Sequence, residues 1–415
     1  MGNCQTKDSA EAEGELTTHG VSCSAPNCIQ NFEGERVVVI GGGYAGQAIS
    51  SLLDGDFTVT VLDPRDKLVH KIGGVRACVR PEWSEVVLVP QNRVMIGGHR
   101  LSAIVQSVNL DLKKVMYVVP GSKQSIELPY DYLVVASGGQ SMSPAEPQDL
   151  HLKEHYYTVA EKISSAEKIV LIGGGPVGVE IAGEILAKHP TKDLIIVHAG
   201  PKLCDHVQAV AAKEFNAAIQ YKLEQKGAKV ILNDKVRLSR DDFKGKSYLE
   251  GERRTVFLAS GKKVDGVDLV INCGGYVPNT SFMPAKCLNE AKLIRVDDNL
   301  RIPGYDNVFA IGDCNDVNET KTYVVCGTQE GKSEGWPRGH ADVVAENIRL
   351  IAEKREKLTS YKPNNSWFGM IVPVGPNDAV VAGYPEAYGQ YKCADYFTGN
   401  QWEAAKLKTP PMPPM

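Results

Sequence analysis

A chain of 415 residues is long enough for two or three domains with real cores, and 43% hydrophobic with 23% charged residues is an ordinary globular composition. The formal net charge of −4 offers no general attraction to nucleic acid, which needs clustered Lys and Arg, so no nucleic-acid partner is expected. No apolar run approaches the roughly 20 residues that span a bilayer, and the N-terminus lacks the basic-then-apolar pattern of a secretory signal. Ten scattered cysteines without paired CxxC spacing fit a reduced, cytosolic setting.

The chain opens Met1-Gly2-Asn3-Cys4-Gln5-Thr6, an N-myristoylation pattern in which Gly2 becomes the acceptor once Met1 is removed. One myristoyl chain holds a membrane only marginally. Asp8, Glu11, Glu13 and Glu15 exclude a polybasic second signal, which leaves Cys4 as a palmitoylation candidate. An unmodified tail is the plainer alternative. Residues 2–31 are polar, acidic and aperiodic, the pattern of a flexible leader.

From Arg36 strands and helices alternate. A β-branched strand over 37–40 runs into Gly41-Gly42-Gly43-Tyr44-Ala45-Gly46 and then a helix over 45–53. In such a fingerprint Gly41 makes the tight turn, Gly43 lets the backbone approach a pyrophosphate, and Gly46 lets the helix pack on the strand. The pyrophosphate lies on the helix N-terminus, where free N–H groups and the helix dipole favour negative charge. The next strand, 57–62, ends at Asp63, about 20 residues past the first glycine, where a ribose hydroxyl needs a carboxylate acceptor. Further strands are read over 101–119, and a buried one over 132–136 enters Ser137-Gly138-Gly139. Pro144 and Pro147 mark a crossing between domains.

A second unit of the same kind begins at Lys168. Its strand over 168–172 turns into Gly173-Gly174-Gly175-Pro176-Val177-Gly178, with Gly173, Gly175 and Gly178 at the fingerprint positions. Its next strand, 194–197, is followed by His198 rather than an acid. No carboxylate there claims the adenosine 2′-hydroxyl or rejects a 2′-phosphate, and Lys202 is near enough to help a phosphate. NADH and NADPH both stay open. Strands follow over 230–232, 255–258, 269–272 and 308–311, the last closing at Gly312-Asp313, where the Asp carboxylate can meet a ribityl hydroxyl. From about Tyr361 the chain is rich in aromatics, Gly and Pro.

Two such turns imply two dinucleotides, one passing electrons to the other. The expected fold is α/β, with two Rossmann-like FAD- and NAD(P)-binding domains, the second inserted in the first, and a small C-terminal α+β interface domain. The expected division is a leader over 1–31, an FAD domain over 32–150 and 300–358, an NAD(P)H domain over 151–299, and an interface and acceptor domain over 359–415.

The order of GxGxxG, acid, Ala136-Ser137-Gly138, second GxGxxG and Gly-Asp resembles the two-dinucleotide-binding flavoprotein disulfide-reductase superfamily. Within it the chain is most similar to the ferroptosis-suppressor, apoptosis-inducing-factor-like NAD(P)H:quinone oxidoreductases. The similarity runs from Arg36 to Phe397 and is carried by Val75-Arg76-Ala77, 173–184, 310–317, His340-Ala341 and Tyr361-Lys362-Pro363.

The resemblance implies that Gly41, Gly42, Gly43, Tyr44, Ala45, Gly46 and Asp63 bind FAD together with Arg76 and Val105, the latter through its backbone to the adenine. Asp313 would hold the ribityl chain and Glu180 would lie near the nicotinamide. Lys392 and Phe397 would belong to the acceptor pocket, and Gly2 would be myristoylated. The implied activity takes a hydride from NADH or NADPH to FAD and on to a lipophilic quinone of the ubiquinone or vitamin K type. The quinols formed would trap radicals, limiting lipid peroxidation and ferroptosis. The implied place is the cytoplasmic face of a membrane or lipid droplet, with the plasma membrane and outer mitochondrial surface as candidates. A ferredoxin-like protein or monodehydroascorbate is the alternative acceptor. The DNA-binding role of the wider apoptosis-inducing-factor group is disfavoured by the charge of −4. A glycine-rich stretch over 326–337 exceeds the family pattern where the acceptor pocket is expected.

A thiol relay would need a CxxxxC or CxxC pair against the flavin. The one such spacing, Cys23 to Cys28, precedes the first strand, and Cys78 stands alone as a small hydrophobe. No Ser–His–Asp or metal-ligand pattern emerges among nine histidines; His70 falls near the flavin by position but reads equally as an ordinary polar residue. Trp367, Phe368, Tyr384, Tyr388, Tyr391, Tyr396, Phe397 and Trp402 read either as the core of a small sheet or as a lipid-facing quinone entrance.

Overall fold

The structure, a computed structural model, describes residues 34–90, 97–147, 149–205, 212–239, 241–318, 339–363 and 370–382. Gly2, Cys4, Cys23, Cys28, Lys392, Phe397, the 326–337 stretch and the aromatic residues at 367, 368 and 384–402 lie outside the described residues.

The first half runs β1 (Arg36–Ile40), α1 (Tyr44–Leu53), β2 (Thr58–Asp63), β3 (Lys67–Val69), α2 (Lys71–Ala77), α3 (Ser84–Val87) and β4 (Leu88–Pro90). It continues through β5 (His99–Ser102), β6 (Ile104–Asn109), β7 (Lys114–Val118), β8 (Ser125–Pro129), β9 (Tyr132–Val135) and β10 (Gly139–Ser141). After α4 (Leu152–Ser165) come β11 (Lys168–Ile172), α5 (Pro176–Lys188), β12 (Asp193–Val197), α6 (Ala212–Gln225), β13 (Lys229–Ile231), β14 (Tyr248–Phe257), β15 (Lys263–Asn272) and β16 (Tyr276–Pro278). The chain then gives β17 (Val308–Ala310), α7 (His340–Ala352), β18 (Met370–Pro373) and β19 (Ala379–Ala382).

Two five-stranded sheets organise the molecule, in the orders β17-β9-β1-β2-β5 and β13-β12-β11-β15-β14. Every pairing in the first is parallel; in the second only β14 against β15 is antiparallel. Strands covered on both faces are apolar, which is why β1 and β11, after Arg36 and Lys168 at their entries, are runs of Val, Ile and Leu. In β1, Val37 and Val39 pack with α1 and α7, while Val38 and Ile40 face the small sheet β6-β7-β8. The β17 strand returns the chain to the first sheet after the whole second sheet has been built. A third cluster joins the units: Val75, Trp83 and Val86 of the first segment pack with Ile169, Ile181 and Ile185 of the second.

The structure lengthens two expected strands. Residues 255–258 and 269–272 cover the C-terminal parts of β14 and β15, at opposite ends of their hairpin; the N-terminal half of each strand is added, with bulges near Glu250 and Arg254. Exposed charged residues hide that half from a hydrophobicity reading. The α4 helix, absent from the sequence reading, buries Leu152, Tyr156, Val159, Ala160 and Ile163 along one stripe. The β18–β19 hairpin lies on α5 and α6: Val372, Val374 and Val380 enter the joining core, and a Cβ on Gly183 would meet Gly375 N at 2.4 Å. Lys222 Nζ to Asp378 Oδ1, 2.7 Å, ties the hairpin to α6.

Candidate redox site

The two glycine turns are near copies. Gly41 and Gly173 have φ of +103° and +104°, a region that favours glycine, and their N–H groups donate to Leu62 O (2.8 Å) and Val197 O (2.9 Å). A Cβ on Gly46 would stand 1.8 Å from Gly41 O, and one on Gly178 2.1 Å from Gly173 O, so each helix presses directly on its own turn. Gly43 and Gly175 are the N-caps of α1 and α5 and carry no side-chain cap. A Cβ on Gly43 would meet nothing within 4 Å, leaving open space in front of the first turn of α1.

Each middle glycine donates its N–H to a residue at the end of the next strand. Gly42 N–H meets Asp63 Oδ2 at 2.7 Å, and Gly174 N–H meets His198 Nδ1 at 3.1 Å. Asp63 is buried, and its Oδ1 accepts the Arg65 N–H at 2.9 Å. A carboxylate has capacity for a further donor, so a ribose hydroxyl can still be accommodated. Ala103 N–H donates to Asp63 O, which draws the start of β6 and half-buried Val105 to the same end of the sheet. Ala45 is buried in the α1 core.

A small cavity of about 20 Å³ lies where the first segment packs on α5, walled by Ile72, Val75, Trp83 and Val87 with Glu180 and Glu184. Tyr44, the first residue of α1, hydrogen-bonds through its hydroxyl to Nδ1 of buried His70, the N-cap of α2, and the rings meet edge to face. Arg76 on α2 reaches across to Glu184 on α5, Nε to Oε1 2.8 Å, with side chains 8% and 4% exposed, so the pair is shut away from solvent. Its guanidinium also lies 4.8 Å from the Trp83 ring centroid. Arg80 Nε stands 3.5 Å from the other Glu184 oxygen. Glu180 sits one helical turn before Glu184. Desolvation, reinforced by the Glu184 charge and opposed by Arg76, pushes its carboxyl up to about 8.

Asp313 lies exposed in the turn Gly312–Cys314, and no described residue hydrogen-bonds its carboxylate. Gly312 N–H donates to Nδ1 of buried His340 at 3.1 Å, fixing that turn to the start of α7. The Tyr276 hydroxyl donates to Asp313 O at 2.8 Å, and its ring covers Gly139 so closely that a Cβ there would lie 2.1 Å away. Lys71 pairs with Glu146 at 2.6 Å and donates to Gly139 O at 2.9 Å. Lys71, Tyr276 and Glu184 were missed by the sequence reading because no motif spacing marks them. Glu184 could have been found only by noticing a polar residue on a buried helix face.

The five described cysteines, Cys78, Cys204, Cys273, Cys287 and Cys314, are buried and unbridged. Burial raises Cys78 well above its ordinary value and pushes Cys204 and Cys273 up to about 12, so none of the three is held as a reactive thiolate.

Two side-chain-free helix N-termini, each backed by an acceptor at the neighbouring strand end, fit two dinucleotides. That is the arrangement of an FAD- and NAD(P)H-dependent oxidoreductase. Residues 35–331 match the pyridine nucleotide-disulphide oxidoreductase family, and the chain belongs to it. Its cofactors are FAD and NAD(P)H. Apoptosis-inducing factor homolog A of Dictyostelium discoideum is 29% identical over 351 residues, covering 79% of this chain and 80% of that one. Ferroptosis suppressor protein 1 of Homo sapiens is 26% identical over 388 residues, 90% of this chain and 97% of that one. The sulfide:quinone oxidoreductase of Aquifex aeolicus has the same fold with a TM-score of 0.65 at 16% identity, over 90% of this chain and 92% of that one. NDH2 of Plasmodium falciparum, solved with NADH, gives 0.64 at 14% identity, over 88% and 93%.

Proposed function

We propose that this oxidoreductase passes electrons from NAD(P)H through FAD to a lipophilic quinone of the ubiquinone or vitamin K type. The observation that carries this reading is the pair of glycine turns, each with a side-chain-free helix N-terminus and an acceptor beside its middle glycine. Relatives named ferroptosis suppressor protein 1 and a fold neighbour named for quinone reduction support it. The buried cysteines favour direct transfer over a thiol relay. FAD, when bound, would supply the two-electron redox chemistry that side chains lack.

The residues of this chain position and balance charge. Gly41 to Gly46 and the N-terminus of α1 hold the FAD pyrophosphate, Asp63 its ribose, Val105 its adenine by backbone, and Asp313 its ribityl chain. Tyr44 and Arg76 border the same site. Gly173, Gly175 and Gly178 hold the nicotinamide dinucleotide. Glu180, whose carboxyl burial pushes up to about 8, would lie near the nicotinamide. Lys392 and Phe397 belong to the acceptor pocket of a C-terminal domain over 359–415. Lipid on Gly2, with Cys4 as second anchor, brings the enzyme to the cytoplasmic surface of membranes and lipid droplets, where it limits lipid peroxidation and ferroptosis.

The test is an absorbance spectrum of purified protein before and after anaerobic NADH, followed by steady-state rates with a short-chain quinone, a ferredoxin-like protein and monodehydroascorbate. Bleaching of a flavin spectrum and turnover with quinone are expected. Turnover confined to either other acceptor overturns the quinone assignment.

A further inference from the structure

The second glycine turn departs from the first at one point. Asp63 supplies a carboxylate at its strand end, whereas His198 supplies an imidazole. His198 Nδ1 accepts the Gly174 N–H, which leaves Nε2 as the ring nitrogen turned away from the turn. That Nε2 stands 3.3 Å from Asp205 Oδ1.

Asp205 comes from the loop after β12, which folds back onto the turn. Cys204 N–H donates to Gly174 O at 2.8 Å, and the Asn216 amide donates to Leu203 O (2.6 Å) and Cys204 O (3.0 Å). Leu203 and Cys204 are fully buried, so the loop has little freedom. The carboxylate fills the space beside Gly200, where a Cβ would come within 1.7 Å of Oδ2. The acid missing from the strand end is thus delivered by the following loop.

We propose that Asp205 makes this enzyme select a dinucleotide with a free adenosine 2′-hydroxyl, NADH over NADPH. This rests on reading the second turn as the nicotinamide-dinucleotide site. The carboxylate accepts a ribose hydroxyl, as acids at such strand ends do, and repels a 2′-phosphate. Lys202 is the sole cation of the 199–205 loop and serves as the control.

The experiment is calorimetric titration of NAD⁺ and NADP⁺ into the FAD-loaded protein, with kcat/KM for NADH and NADPH alongside. NAD⁺ is expected to bind at least tenfold tighter. Asp205→Asn, which keeps the shape, should reduce that ratio about tenfold, equivalent to about 1.4 kcal/mol. Asp205→Ser, as a second variant, should do the same, with the flavin spectrum and melting temperature confirming the fold. Lys202→Met should raise the preference for NAD⁺. Equal affinities, a preference for NADP⁺, or an Asp205→Asn ratio unchanged from the parent overturns the proposal alone. Binding of neither dinucleotide overturns it together with the reading of the second turn.

Discussion

Asp63 and His198 hold equivalent places: Asp63 ends β2 and His198 directly follows β12, and each accepts the N–H of the middle glycine, Gly42 in one case and Gly174 in the other. Removing the Asp63 acceptor strands a buried N–H and frees the Arg65 backbone. Asp63→Ala should cost about 1–3 kcal/mol and lose FAD on gel filtration. Asp63→Asn keeps an acceptor and should retain more flavin. Equal FAD retention by the alanine variant and the parent would show that the carboxylate holds neither turn nor cofactor.

The glycines of the first turn should separate folding from binding. Gly46→Ala drives a Cβ into Gly41 O at 1.8 Å, and Gly41→Ala adds a positive φ, so both should yield unstable or insoluble protein. Gly43→Ala meets open space and should melt within about 1 kcal/mol of the parent, since an alanine N-cap is only modestly worse than glycine. Its FAD affinity, read by flavin fluorescence, should nevertheless fall more than about tenfold, because the methyl stands where the pyrophosphate approaches. Unchanged affinity would place the pyrophosphate elsewhere.

Glu180 gives a pH signature. Its folded carboxyl titrates near 8 against an ordinary 4.5, so the folded protein holds a proton that the unfolded chain releases. The stabilisation is complete below pH 4.5 and is lost as pH rises through 8. Glu180→Gln should therefore gain stability relative to the parent across that window, on the order of 1.4 kcal/mol per unit of displacement before relaxation. Urea melts across the window check the sign. Quinone turnover in the parent should fall above pH 8, and the glutamine variant should lack that limb. A constant stability difference at all pH values contradicts the assignment.

The Arg76–Glu184 pair links α2 to α5 and is sealed from water. Arg76→Met leaves a buried carboxylate with only the more distant Arg80 and should cost about 3–5 kcal/mol. Adding Glu184→Leu should restore most of that loss, since a well-packed apolar replacement is often neutral. A double variant no more stable than the single one would mean that the pair does more than cancel its own burial.

Both glycine turns, Asp63 and the Gly312-Asp313 turn were legible because each is a local pattern: strand, glycines at set spacing, polar residue at a strand end. What escaped depends on surfaces distant in sequence. Glu184 meets Arg76 across 108 positions, and Tyr276 covers Gly139 from the far side of the second unit. The α4 helix was overlooked because its apolar stripe is diluted by charged residues. His198 could be read as a missing acid, but its bond to the Gly174 N–H, and the acid waiting at Asp205, needed the folded loop.

The β18–β19 hairpin has a consequence for biosynthesis. Val372, Val374 and Val380 close the apolar surface of α5 and α6, although those helices are encoded some 150 or more positions earlier. During translation the nucleotide unit therefore emerges with one flank bare, and Gly183 waits for Gly375 until the ribosome has passed residue 382. A nascent chain stalled before that point displays a greasy helix pair, the sort of surface chaperones bind, and an excised nucleotide unit would carry the same wound.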